Sequence, residues 1–211
     1  MTSLPAFVAL EPDPGLADLI CQAKAIVREL AGAQRYLDEP PHLTLVVNSF
    51  PDLDEVAQTL ASLARSQSPL RVDLDGWHVF RNDPLTGGHT VVADPAPSGK
   101  SALRHLQDRV LEVTAPRRDQ EASTARFRPF FGQLSPTRQN SVLRWGFPFT
   151  GADWNPHVSV ASIAPAVWKS VWVRLETLAP RLAATFGELV LYRLECGQVP
   201  VRVQAFPLEA S

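Results

Sequence analysis

The sequence predicts an α+β protein built around a cleft, and three observations carry that expectation. Short apolar strands alternate with amphipathic helices along most of the 211 residues. A five-residue pattern, Pro-His-apolar-(Ser/Thr)-apolar, occurs twice, at residues 41–45 and 156–160, and each copy opens a strand that leads into a helix. The length suffices to bury a full core without a metal or disulfide staple, and neither a linker nor a low-complexity segment divides it. The expectation is one domain over residues 1–211, with motif halves of about 1–114 and 115–211.

Residues 7–10, Phe-Val-Ala-Leu after Pro5, read as a buried strand. Asp13-Pro14 supplies a helix cap and first residue. Leu16, Leu19, Ile20, Ala23, Val27 and Leu30 then recur at helical spacing, and Gly32 stops the helix. Residues 42–47 form a β-rich run. Asp52 with Glu55 makes a capping box for a helix carrying Leu53, Val56, Leu60 and Leu63. Leu70, Val72 and Leu74 alternate with charged residues, the period of a half-buried strand. Gly76 leads into residues 77–80 and an Asn-Asp-Pro turn at 82–84, and residues 89–93 form the next strand. Ser98 is the expected cap of a helix carrying Leu103, Leu106, Val110 and Val113.

Periodicity fails from 115 to 155, where Arg117, Arg118, Arg126, Arg128, Arg138 and Arg144 meet only Asp119, Glu121 and Asp153. A structureless loop of that length is unusual in a compact domain, so the segment is expected to be functional, partly helical, or both. Strand 156–160 follows, then a helix from Pro165 with Trp168, Val171, Trp172 and Leu175 on its core face. Strands 188–194 and 199–206, joined around Gly197, end the chain.

Composition narrows the function. Lys+Arg 20 against Asp+Glu 22 gives a net charge of −2, which argues against a surface that is everywhere a trap for nucleic acid. No apolar run approaches the roughly 18–20 residues of a membrane span, and the N-terminus does not read as a signal peptide. Cys21 and Cys196 make no disulfide framework. A cytoplasmic monomer is the expectation, with no membrane partner and no cofactor or metal.

The paired pattern carries the chemistry. On a strand, residues i and i+2 share a face. His42 and Thr44 therefore project together with Leu43 and Leu45 behind them, and His157 and Ser159 do the same before Val158 and Val160. Two such strands facing one another present two imidazoles and two hydroxyls to one substrate. That set suits cleavage of a cyclic phosphodiester. A neutral histidine takes a proton from water, a protonated one donates to the leaving oxygen, and the hydroxyls bind the nonbridging oxygens.

These motifs resemble the two-histidine (2H) phosphoesterase superfamily, which includes 2′-5′ RNA ligase-like proteins and cyclic nucleotide phosphodiesterases. The resemblance spans nearly the whole chain. It implies two pseudo-symmetric lobes, each an antiparallel sheet with helices on its outer face and the cleft between them, with His42, Thr44, His157 and Ser159 as the catalytic set. Residues 134–139 (Leu-Ser-Pro-Thr-Arg-Gln) and 143–149 (Leu-Arg-Trp-Gly-Phe-Pro-Phe) look like the branch associated with phosphonate-utilisation operons. That branch usually carries tyrosine where Phe147 stands and His-x-Thr in both copies.

The implied activity is metal-independent hydrolysis of a cyclic phosphodiester on a nucleotide, RNA end or sugar, so the partner is a small phosphorylated substrate or an RNA terminus. RNA 2′-5′ end joining and non-catalytic nucleotide binding are the alternatives. Arg144 and Arg138 are the candidate phosphate clamp, because guanidinium forks match phosphate oxygens, and Trp77 and Trp145 are candidate base-stacking residues. Ser98-Gly99-Lys100-Ser101 imitates the end of a phosphate-binding P-loop. The pattern needs Gly where Asp94 stands, and Pro95 and Pro97 remove amides that would hold phosphate, so that reading is rejected. His78, His89 and His105 lack a second motif and are read as structural.

Overall fold

A computed structural model describes residues 3–83 and 86–210. Pro84, the last residue of the expected Asn-Asp-Pro turn, lies outside the described residues, as do Met1 and Thr2 of the N-terminus. Strand β1 (Leu4–Pro12) leads into helix α1 (Pro14–Ala31), and β2 (Leu43–Phe50) into α2 (Leu53–Ala64). The strands β3 (Leu70–Phe80) and β4 (His89–Pro95) form a hairpin followed by α3 (Pro97–Thr114). The short helix α4 (Gln120–Ala125) and α5 (Pro136–Trp145) precede β5 (Val158–Ile163), α6 (Trp168–Leu175), β6 (Ala183–Arg193) and β7 (Val201–Pro207).

The local signals explain most of these boundaries. The Asp13 side chain accepts the amide of Leu16 with Pro14 at the first helical position, and the Asp52 carboxylate accepts the amides of Asp54 and Glu55. Helix α3 begins earlier than expected. Ala96 is its cap and Pro97 its first residue, because proline preorganises the turn and Ser98 is already inside it. The aperiodic stretch is helical too. Ser135 caps α5, which ends on Gly146 at φ 73, a left-handed conformation that glycine adopts without a Cβ penalty.

All strands pair antiparallel in the order β1-β2-β5-β4-β3-β6-β7, and β1 also pairs with β6. Two half-sheets are visible, β2-β1-β6-β7 and β3-β4-β5. They meet where Leu70 to Asp73 pair with Phe186 to Ala183, and where Leu43 pairs with Val158. The β1–β6 pairing closes the ring, so the sheet curls on itself with the helices outside. One continuous core fills the helix side, with Ala6, Val8, Leu10, Leu43, Leu45, Val158 and Val160 from the sheet against Leu16, Ile20, Leu60, Leu103 and Val171 from the helices. The opposite face carries Phe7, Ala9, Val190 and Tyr192 as a separate buried cluster. Among the described residues, no helix is long and apolar enough to cross a membrane, and both Cys21 and Cys196 are free and exposed.

Candidate active site

The site is built where the half-sheets meet. Leu43 and Val158 face each other across β2 and β5 with both side chains fully buried. Continued by one residue in each direction, that antiparallel register sets Thr44 beside His157 and His42 beside Ser159. Because alternate residues share a face, all four project away from the core that Leu43 and Val158 fill. Both predicted motifs therefore lie side by side on the inner face of the sheet.

Each imidazole is held in the same way. Nδ1 of His42 lies 2.8 Å from the carbonyl oxygen of Pro40, and Nδ1 of His157 lies 2.7 Å from that of Asn155, in both cases two residues upstream. A carbonyl only accepts, so Nδ1 must carry the proton, and the neutral ring presents Nε2 as its basic nitrogen. The prolines of the two motifs, Pro41 and Pro156, lie between histidine and acceptor and restrict the backbone there.

The rings are braced by aromatics. Phe7 packs on His42 with centroids 4.9 Å apart and stacks on Tyr192 at 4.8 Å. Phe80 meets His157 edge-on at 5.4 Å, and His78 packs on Phe80 at 4.6 Å. Burial among these rings pushes the His42 imidazole down to about 4; its bond to Pro40 opposes the shift, positive charge on Lys24 and His157 adds to it, and Glu11 opposes it. His157 is lowered as well, first by burial, with the Asn155 bond and Asp94 opposing. Both rings are therefore neutral at pH 7.

Several contributors were not apparent from the sequence. Register places Glu11 of β1 beside His42, since Leu10 pairs with Leu43, and Asp94 of β4 beside His157, since Ala93 pairs with Val158. The Glu11 carboxylate accepts the Tyr192 hydroxyl and the Arg202 guanidinium, and Asp94 pairs with Lys100 at 2.9 Å. A signal for both was present: Glu11-Pro12-Asp13-Pro14 and Asp94-Pro95-Ala96-Pro97 repeat the order acid-Pro-x-Pro at the ends of β1 and β4. His78, expected to be structural, is on the inner face near His157 rather than in the core. The strand register slips between Leu74 and Trp77, at Gly76 with φ 105, and this slip turns His78 and Phe80 inward.

The same slip removes Trp77 from the substrate side. Its ring packs against the helix-side core and its indole N–H donates to the Leu175 carbonyl at 2.8 Å. Trp145 is also elsewhere. Its carbonyl accepts from Asn48, six residues along β2 from His42, or about 20 Å of strand. Arg144 stacks on the Trp145 ring at 4.4 Å and shares that remote position. Arg138 pairs with Asp153 at 3.1 Å and lies over Phe149. Trp77, Trp145 and Arg144 are not brought to the histidines, and three of the six arginines of the 115–155 stretch pair with carboxylates, Arg117 with Glu55, Arg128 with Glu121 and Arg138 with Asp153. Among the described residues, no group of three or more His, Cys, Asp or Glu is arranged to hold a metal ion.

Comparison with known proteins agrees with this fold. The model of the 2′-5′ RNA ligase superfamily matches residues 12–198. The match is to the superfamily and names no branch within it. Among solved structures, TT0787 of Thermus thermophilus superposes with a TM-score of 0.64 at 18% identity, covering 98% of this chain and 99% of that one. E. coli LigT complexed with 3′-AMP gives 0.57 at 14% identity, over 99% and 100% of the two chains. LigT complexed with NADP+ gives 0.56 at 13%, again over 99% and 100%. At such identities the likeness is one of fold. No curated protein matches this chain in sequence.

Proposed function

Since this chain belongs to the 2′-5′ RNA ligase superfamily of two-histidine phosphoesterases, we propose that it hydrolyses a cyclic phosphodiester by paired-histidine acid–base catalysis without a metal. One observation carries the reading: two histidines on adjacent strands, each with Nδ1 tied to the carbonyl two residues back, present equivalent Nε2 atoms beside two hydroxyls.

The reaction needs one neutral and one protonated ring. Nε2 of the neutral histidine accepts a proton from water as its oxygen attacks phosphorus. The protonated histidine donates to the leaving ring oxygen, and the new P–O bond and the lost one exchange through a phosphorane-like transition state. Thr44 and Ser159 donate to the nonbridging oxygens, where negative charge accumulates. The substrate's own anion brings about the protonated form, because negative charge between two neutral imidazoles favours protonating one of them. The depressed histidines therefore form a pair that shares a proton once phosphate is bound.

The nucleotides in the LigT complexes, 3′-AMP and NADP+, support a nucleotide as the carrier of the cyclic phosphate. The test is turnover of nucleoside 2′,3′-cyclic phosphates to monoesters, with and without EDTA. Turnover insensitive to EDTA is expected, and activity lost to the chelator overturns the metal-independent mechanism. The superfamily's name also favours the reverse reaction on RNA ends, and RNA bearing 2′,3′-cyclic and 5′-hydroxyl termini separates joining from hydrolysis.

A further inference from the structure

The chain has 17 arginines and only three lysines, Lys24, Lys100 and Lys169. Two of the three are withdrawn from solvent, and each is tied to the segment behind one of the histidines. Lys24, on α1, is 6% exposed, and its ammonium donates to the carbonyls of Tyr36 at 2.7 Å and Glu39 at 2.5 Å. Glu39 immediately precedes Pro40, whose carbonyl receives the Nδ1 proton of His42. Lys100, on α3, bridges Asp94 Oδ1 at 2.9 Å and Asn155 Oδ1 at 3.0 Å, and the Asn155 carbonyl receives the Nδ1 proton of His157.

Burying an ammonium is costly unless its three donors find partners. A surface lysine makes the same helix without that cost, so the placement needs a reason. The Lys24 contacts also hold a strained turn. Tyr36 has φ 73, left-handed backbone that a bulky side chain disfavours. Lys100 plays an analogous part from a different helix and through side-chain acceptors, which ties β4 to the segment entering β5. It is also the lysine of the P-loop-like Ser98-Gly99-Lys100-Ser101 run, held here by Asp94 and Asn155.

We propose that Lys24 and Lys100 are a matched pair of positioning residues, each fixing the main-chain carbonyl that receives a histidine Nδ1 proton and so setting the aim of the reactive Nε2. The proposal rests on His42 and His157 being the acid–base pair. Loss of either lysine releases the acceptor loop, and the corresponding imidazole then samples both tautomers and a wider range of orientations. A displacement on the order of 1 Å suffices to cost about 10²-fold in rate.

The experiment is side-chain ¹⁵N spectroscopy of the histidines at pH 8, without substrate, in the wild type and in Lys24→Met, Lys100→Met and Lys169→Met. Wild type and Lys169→Met should show the Nδ1–H tautomer at both His42 and His157. Lys24→Met should mix the tautomers of His42 alone, and Lys100→Met those of His157 alone. In parallel, kcat on a nucleoside 2′,3′-cyclic phosphate should fall about 10- to 100-fold with KM little changed. Lys100→Gln keeps a donor and should restore the single tautomer of His157. If Lys24→Met does not fold, the two Lys100 variants decide the matter. Folded variants that lose stability but keep single tautomers would make the lysines loop staples and overturn the proposal. The spectra need no turnover, so a chain inactive on cyclic phosphates would defeat the functional reading while leaving the positioning result readable.

Discussion

The depressed imidazole of His42 makes a quantitative prediction about folding. Its titration drops from 6.5 in the unfolded chain to about 4 in the folded one, chiefly through burial beneath Phe7 and Tyr192. Above pH 6.5 both states are neutral and nothing is lost. As pH falls below 6.5 the unfolded chain takes up a proton that the folded one refuses, and stability declines by about 1.4 kcal/mol per pH unit until pH 4. At pH 5 the share of His42 alone is about 2 kcal/mol. The perturbation is His42→Asn, which keeps a donor for the Pro40 carbonyl and removes the titration. Urea unfolding at pH 7.5 and pH 5.0 should show the wild type losing about 2 kcal/mol more than the variant over that interval. His157 shifts in the same direction and is present in both proteins, so the difference reports His42 together with its coupling to His157. Equal losses in the two proteins would refute the buried, neutral ring on which the site depends.

Three further outcomes follow from the same geometry. Because both histidines are lowered in the free protein, kcat/KM should peak on the acid side of pH 6.5, while the kcat profile lies at higher pH because bound phosphate favours the imidazolium; initial rates across pH 4.5–8.5 give both curves. Thr44→Val or Ser159→Ala should lower kcat about 10²-fold by removing a donor to the charge-bearing oxygens, with little change in urea midpoint. Arg144→Ala should leave KM for a cyclic mononucleotide near the wild-type value, since its guanidinium stacks on Trp145 away from the histidines, and a large rise in KM would reverse that placement.

How much of this was legible in the sequence depended on whether a residue's role was set by its own strand or by its neighbours in space. The two motifs were readable because period-2 alternation puts His and Thr or Ser on one face and Leu or Val on the other. Helix starts at Asp13 and Asp52 were readable because a cap is a local hydrogen bond. Arg144 is not at the histidines because composition counts charges without showing where the fold puts them, and its guanidinium stacks on Trp145, remote along β2. Trp77 failed because one irregularity at Gly76 inverts the alternation of all that follows it on β3. Lys24 and Lys100 look like ordinary helix residues, and only tertiary packing brings them to the carbonyls behind the histidines. The acid-Pro-x-Pro repeat was visible, yet its meaning comes from pairing β1 with β2 and β4 with β5.

The central claim is that His42 and His157 together cleave a cyclic phosphodiester. It is tested most directly by measuring hydrolysis of a nucleoside 2′,3′-cyclic phosphate by the wild type, His42→Ala and His157→Ala under the same conditions. The account predicts turnover by the wild type and a loss of about 10²- to 10⁴-fold in each variant, with both still folded. Wild-type turnover that survives either substitution would contradict it.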